Sequence, residues 1–249
     1  MKRIACVACL DPKFSIHTHT FLRAVVLARH CLLGPHVQLR LFDDSASREG
    51  ALRAAREVLA WAPDAVVGHF ASSAADAAAP LYAARGVPLF LPAATASHLT
   101  PYGATRVFSG RYAASVRYAI RWAHTDLPGR LILTDDAGST ALVPDLLAHG
   151  VDPDRHDILI AGICPHPAGD TARHVRQAWR RRWGGEPGTY LWETLSALQT
   201  AARYPELPAR TVLGPLRFDE QRESRPSSFR LWRVTRHGLV AWQPATEAV

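Results

Sequence analysis

DAVVGHFASSAADAAAPLYAARGVPLFLPAATASHLT, residues 64–100, is the stretch that decides the fold. It opens on a short apolar run, Ala65-Val66-Val67-Gly68, and a second one follows at Leu89-Phe90-Leu91. Between them a helix starts at Ser72 or Ser73, and Gly86 ends it. Ser73 and Asp76 stand at capping-box spacing, with Asp in place of Glu. The alanine-rich stretch 74–84 fits one packed helix. Two apolar strands joined through a helix form a βαβ unit, whose strands are parallel and covered on both faces.

The alternation continues toward the amino terminus. Residues 3–9 read as an apolar strand. A helix over 20–33 puts Phe21, Val25, Ala28 and Leu32 on one stripe, and Gly34-Pro35 closes it. A second strand is expected at 36–42, then a helix over 47–61 with Leu52, Ala55 and Leu59 at helical spacing. The carboxyl-terminal half is less regular. It predicts strands at 131–134 and 158–163, a short helix running to His149, and helices over 171–183 and 190–203. Its tail reads as β at 212–218, 229–234 and 239–242.

Composition narrows the class. The 249 residues allow one large domain or two small ones. With 48% hydrophobic and 20% charged residues, the chain can bury a core, which excludes disorder over most of its length. No apolar run approaches the roughly 18 residues of a membrane helix. Met1-Lys2-Arg3 and the apolar residues 4–10 are followed by Asp11-Pro12, with no small-residue cleavage site. The segment therefore reads as a strand rather than a signal peptide, and a cytoplasmic location is expected. The net charge is +7, carried almost wholly by arginine. Arg180-Arg181-Arg182 reads as a solvated helix end that complements the helix dipole. No nucleic-acid-binding motif accompanies it, which argues against a nucleic-acid partner. Cys6-Val7-Ala8-Cys9 is formally C-x-x-C, but an offset of three within a strand puts the sulfurs on opposite faces. They read as buried reduced thiols.

In an open parallel sheet, ligands bind beyond the carboxyl ends of the strands. Four segments fall there: 11–20, 43–45, 69–73 and 92–97. Ser72 and Ser73 open a helix, so their hydroxyls and first-turn N–H groups can receive an anion. Ala93-Ala94-Thr95 offers small side chains, backbone N–H groups and one hydroxyl. Together these suit a carboxylate or an amide. The serines could equally cap their own helix, and spacing leaves both readings open. His17 and His19 lie after the first strand and His69 ends the third, so all three could approach this corner. His17 and His19 are candidates for a general base, because histidine titrates near neutral pH. A metal site needs three or four ligands, and no Cys or carboxylate falls in register, so no metal or other cofactor is expected. There is no G-x-S-x-G elbow around Ser72.

Several pieces of the sequence resemble the type I periplasmic binding proteins, in the branch that binds leucine-type amino acids, amides and urea. They are V-G-H-x-x-S-S at 67–73, A-P-L-Y-x-x-x-G-V-P at 79–88, P-A-A-T at 92–95 and H-L-T at 98–100. Phe42-Asp43-Asp44, Tyr190-Leu191-Trp192 and Gly214-Pro215-Leu216-Arg217-Phe218-Asp219 also fit, in order. The resemblance implies an α/β fold with a parallel-sheet Rossmann-like lobe. It implies that Ser72 and Thr95 grip a ligand carboxylate or amide with the N–H groups of Ala93 or Ala94, and that the loop around Ile16 and His17 covers the ligand. Two full lobes would need about 300 residues. The missing length falls between His149 and Asp157, so a reduced second lobe is expected. The main lobe is then 1–120 with 158–206, and the reduced lobe is 121–157 with 207–249.

The expected function is a cytosolic small-molecule-binding protein, a sensor or accessory subunit, for a small amide, amino acid or carboxylate. One alternative is an enzyme on the same scaffold with His17 or His19 as base. Another is a protein-interaction module that has lost ligand binding. A reduced lobe exposes apolar surface, so a homodimer or a protein partner is expected.

Overall fold

Strand order in the larger part of the chain sets where a ligand can sit. A computed structural model describes residues 1–94, 97–106, 130–134, 157–163, 167, 169–188, 190–225, 229–235 and 238–242. The chain forms two compact units, 1–110 with 166–226 and 111–165 with 227–249. In the first unit five parallel strands, β1 (Lys2–Ala8), β2 (Val37–Asp43), β3 (Ala65–Gly68), β4 (Leu89–Leu91) and β5 (Ala104–Arg106), pair in the order β2-β1-β3-β4-β5. The order reverses between β1 and β3. Strand connections leave that point in opposite directions, which opens a crevice at the carboxyl ends.

Along β1, Ile4, Cys6 and Ala8 enter one buried cluster, while Ala5 and Val7 enter the other. This is the period of two expected of a strand covered on both faces. The first face is covered by α1 (Thr18–Leu27), α4 (Asp170–Trp183) and α5 (Leu191–Arg203). The second is covered by α2 (Arg48–Trp61) and α3 (Ser72–Ala83). The two late helices therefore pack on the same sheet as the amino-terminal strands, as expected. Helix α1 is shorter than its sequence pattern. Its last turn, Ala28–Leu32, widens into a π-helical turn, and Leu33 is already extended ahead of Gly34-Pro35.

A small antiparallel sheet completes the first unit: β8 (Ala209–Thr211), β9 (Gly214–Phe218) and β10 (Ser224–Arg225), in the order β10-β9-β8. In the second unit β6 (Arg130–Thr134) and β7 (Asp157–Ile163) are parallel. β11 (Phe229–Thr235) and β12 (Gly238–Trp242) extend that sheet antiparallel, in the order β12-β11-β7-β6.

Two boundaries differ from expectation. Residues 158–163, assigned to the main lobe from sequence, pair with β6 and β11 in the second unit. Residues 209–225, assigned to the reduced lobe, form the small sheet of the first unit. Strand periodicity identifies a strand but not its partner, and the partner decides the unit. The expected helix ending at His149 and the stretch 149–156, where the chain was read as shortened, lie outside the described residues.

Both C-x-x-C cysteines are buried and free, as expected, but they do not share one strand. Cys6 is buried in β1, and burial pushes its thiol up to about 12. Cys9 falls one residue beyond the strand, and burial also raises it. The arginine run at the end of α4 is exposed, as expected. Arg180 pairs with Glu186, and Arg182 lies over the Trp183 ring at 5.5 Å. Arg23 of α1 stacks on Trp179 and Trp183 at 5.3 Å each.

Candidate ligand site at the strand ends

The reversal between β1 and β3 points to two loops. One runs from Cys9 to His17, the other from His69 to Ser72. Gly68 closes β3 at φ 138°, and a Cβ there would lie 1.8 Å from the Val7 carbonyl oxygen. Only glycine lets β3 pass this close to β1 before the chain turns. His69 follows at φ 25°, a conformation that side chains rarely adopt. Two buried hydrogen bonds hold it there. Its Nδ1 lies 2.9 Å from Asp44 Oδ2 and its Nε2 3.1 Å from the Tyr82 hydroxyl. Asp44 Oδ1 accepts from Ala46 N at 3.0 Å. Asp44, His69 and Tyr82 are each at most 1% exposed. The chain Asp44–His69–Tyr82 thus ties the end of β2 and the body of α3 to the loop that carries Ser72. Burial, with the Asp44 charge adding to it, raises the Tyr82 phenol far above its ordinary value, so it stays protonated.

Beside it, Asp43 secures the neighbouring turn. Its Oδ1 accepts from Leu10 N and Ser45 N, both at 3.0 Å. Burial alone would raise this carboxyl. The bonds from Leu10 and Ser45, with the charge of Arg53, outweigh it and hold Asp43 below the usual range.

Ser72 and Ser73 are the first two residues of α3, and the N-cap is Ala71. The expected capping box is not formed. Ala71 has no capping side chain, and Asp76 pairs instead with Arg48 at 2.8 Å. The serines therefore do not cap this helix. Ser72 is half-buried and Ser73 is exposed. The N–H groups of Ser73 and Ala74 have no acceptor among the described residues, so this end of α3 can donate to an anion. Ala93 and Ala94 follow β4 and are buried. Thr95 lies outside the described residues.

His17 stands at the N-cap of α1, half-buried against aromatic rings. Its ring centroid lies 5.2 Å from Tyr190 and 5.9 Å from Phe70. Phe70 packs edge-on to Phe21 at 5.3 Å and to Tyr190 at 5.9 Å. Phe70 sits two residues before Ser72, so this aromatic wall and the serine share one loop. Burial lowers the His17 imidazole below its ordinary value and keeps it neutral at neutral pH. Its ring nitrogens have no hydrogen-bond partner among the described residues. His19 is exposed. His69, expected to approach the corner with them, is committed to Asp44 and Tyr82. Among the described residues no three His, Cys, Asp or Glu gather as metal ligands.

The sequence reading missed the aromatic wall. Tyr190 and Phe70 are 120 residues apart, and each resembles a core residue on its own. It also missed Glu193, in the first turn of α5. That carboxyl is fully buried, neither oxygen has a hydrogen-bond partner among the described residues, and burial raises it to about 8.

Known structures share this architecture. A leucine-binding protein from Thermotoga maritima superposes with a TM-score of 0.71 at 14% identity, covering 98% of each chain. An ABC-transporter substrate-binding protein from Desulfitobacterium hafniense, in complex with leucine, gives 0.67 at 16%, covering 97% of this chain and 99% of that one. A solute-binding protein from Rhodopseudomonas palustris, in complex with 3,4-dihydroxybenzoic acid, gives 0.67 at 14%, covering 97% and 96%. No protein-family profile matches the sequence, and no curated protein matches it. The chain has the fold of the type I periplasmic binding proteins.

Proposed function

We propose that this protein binds a small carboxylate, amino acid or amide at the corner formed by Ser72, Ser73, Ala93, Ala94 and Thr95. On this reading it is a cytosolic sensor or accessory subunit, working as a homodimer or with a protein partner. The observation that carries the proposal is the uncapped start of α3, placed at the β1/β3 reversal beside an aromatic wall. An anionic or amide oxygen meets N–H donors and the helix dipole there. An apolar ligand body meets Phe70, Tyr190 and the neutral His17 ring. Leucine and 3,4-dihydroxybenzoic acid, found with two of the similar structures, each pair a carboxylate with an apolar body. The unpaired, buried Cys6 and Cys9 fit a reducing compartment. An acid–base role for His17 has less support, because no carboxylate orients its ring among the described residues.

The test is calorimetric titration with leucine, acetamide and butyrate. At least one is expected to bind. Ser72→Ala and Thr95→Ala should each weaken it about five- to tenfold, the worth of roughly one hydrogen bond. Because Ser72 is not the cap, Ser72→Ala should cost less than about 1 kcal/mol of stability. Unchanged affinity in both variants would remove the corner from consideration.

A further inference from the structure

At the opposite end of the same sheet lies a cavity of about 580 Å³. It opens where the chain enters β4 and β5, against the end of α5 and the turn between β9 and β10. Tyr102 and Tyr204 supply aromatic surface, Pro88 and Pro101 flat apolar surface, and Leu207 a further apolar side chain. Tyr102, Tyr204 and Leu207 are 43%, 38% and 41% exposed. Three of the seven exposed large hydrophobic residues of the described chain thus gather at one cavity. Tyr204 is held in place. The Tyr204 ring packs edge-on to the buried Phe90 at 5.8 Å, and Lys2 Nζ donates to the Tyr204 carbonyl at 2.8 Å.

The cavity also has a charged member. Arg222 Nη1 donates to the Gly103 carbonyl at 2.9 Å, which fixes the guanidinium at the cavity. That bond uses one of its five N–H donors, and Arg222 has no carboxylate partner among the described residues. A held guanidinium with spare donors matches the fork of a carboxylate. Aromatic and proline surfaces match a planar ring, and the volume suits a small molecule. We infer that this cavity is a second ligand site, separate from the strand-end corner, for a small aromatic carboxylate.

Titration of the full chain with 4-fluorobenzoate, followed by fluorine NMR, tests this. Saturable binding is expected. Tyr102→Ala and Arg222→Gln should each weaken it at least fivefold. Both residues are exposed, and circular dichroism checks that the variants stay folded. 4-Fluorobenzamide should bind at least fivefold more weakly than the acid. Absence of saturable binding overturns the inference, as does wild-type affinity in Tyr102→Ala and Arg222→Gln. Loss of binding in Ser72→Ala would place the acid at the strand-end corner instead. A change of oligomeric state in Tyr102→Ala would make the surface a contact between copies, which also overturns it.

Discussion

Glu193 places an uncompensated carboxyl in the interior of the first unit, three residues after Tyr190 of the aromatic wall. Burial raises it from the usual 4.5 to about 8. Below pH 4.5 it is protonated in the folded and unfolded chains alike. Between there and about pH 8 the unfolded chain releases the proton and the folded chain keeps it, so stability falls as pH rises. Above about 8 both forms are ionised and the whole cost is present. Glu193→Gln removes this titration. Its stability relative to the wild type should rise by several kcal/mol, as an order of magnitude, between about pH 5 and about pH 8.5. Urea unfolding at the two pH values measures it, and an unchanged difference would mean that Glu193 is ionised in the fold. His69 is the contrasting case: both of its nitrogens are partnered, and its bonds offset an unfavourable backbone angle.

At the scale of elements, the starts of α2 and α3 differ in one residue's role. Ser47 caps α2, with its hydroxyl accepting from Gly50 N at 3.0 Å. α3 begins after Ala71 with no such bond. Ser47→Ala should therefore cost about 1 kcal/mol, whereas Ser73→Ala should cost only a few tenths. Thermal or urea unfolding of the two variants compares them. Equal losses would contradict the observed caps. Sequence spacing favours Ser73 with Asp76, but Arg48 of the neighbouring helix takes the carboxylate. Tertiary packing thereby leaves the Ser73 and Ala74 N–H groups without an acceptor among the described residues.

At the scale of the whole molecule, Phe14 and Ile16 stand 70% and 80% exposed in the loop between β1 and α1. Large apolar side chains left this open favour a covering partner. Light scattering at micromolar concentration should give a dimer mass, which Phe14→Ser with Ile16→Ser shifts toward the monomer. A monomer in the wild type, with no partner recovered, counts against this part of the proposal. Most of the first unit was legible in the sequence, because buried strands and amphipathic helices write their periods locally. β3, β4 and both late helices fall within a residue of expectation. β5 escaped, since three residues, Ala104-Thr105-Arg106, carry no measurable period. Of the site, Ser72, Ser73, Ala93 and Ala94 were read from their place after strands, and the structure keeps them at strand ends. The sequence by itself determined the parallel sheet and its two covered faces, because both follow from residue order and apolar spacing. Only the tertiary structure decided which sheet 157–163 joins, which carboxylate Arg48 takes, and that His17, Phe70 and Tyr190 form one wall. Those are contacts between residues far apart in the chain, and no local period encodes them.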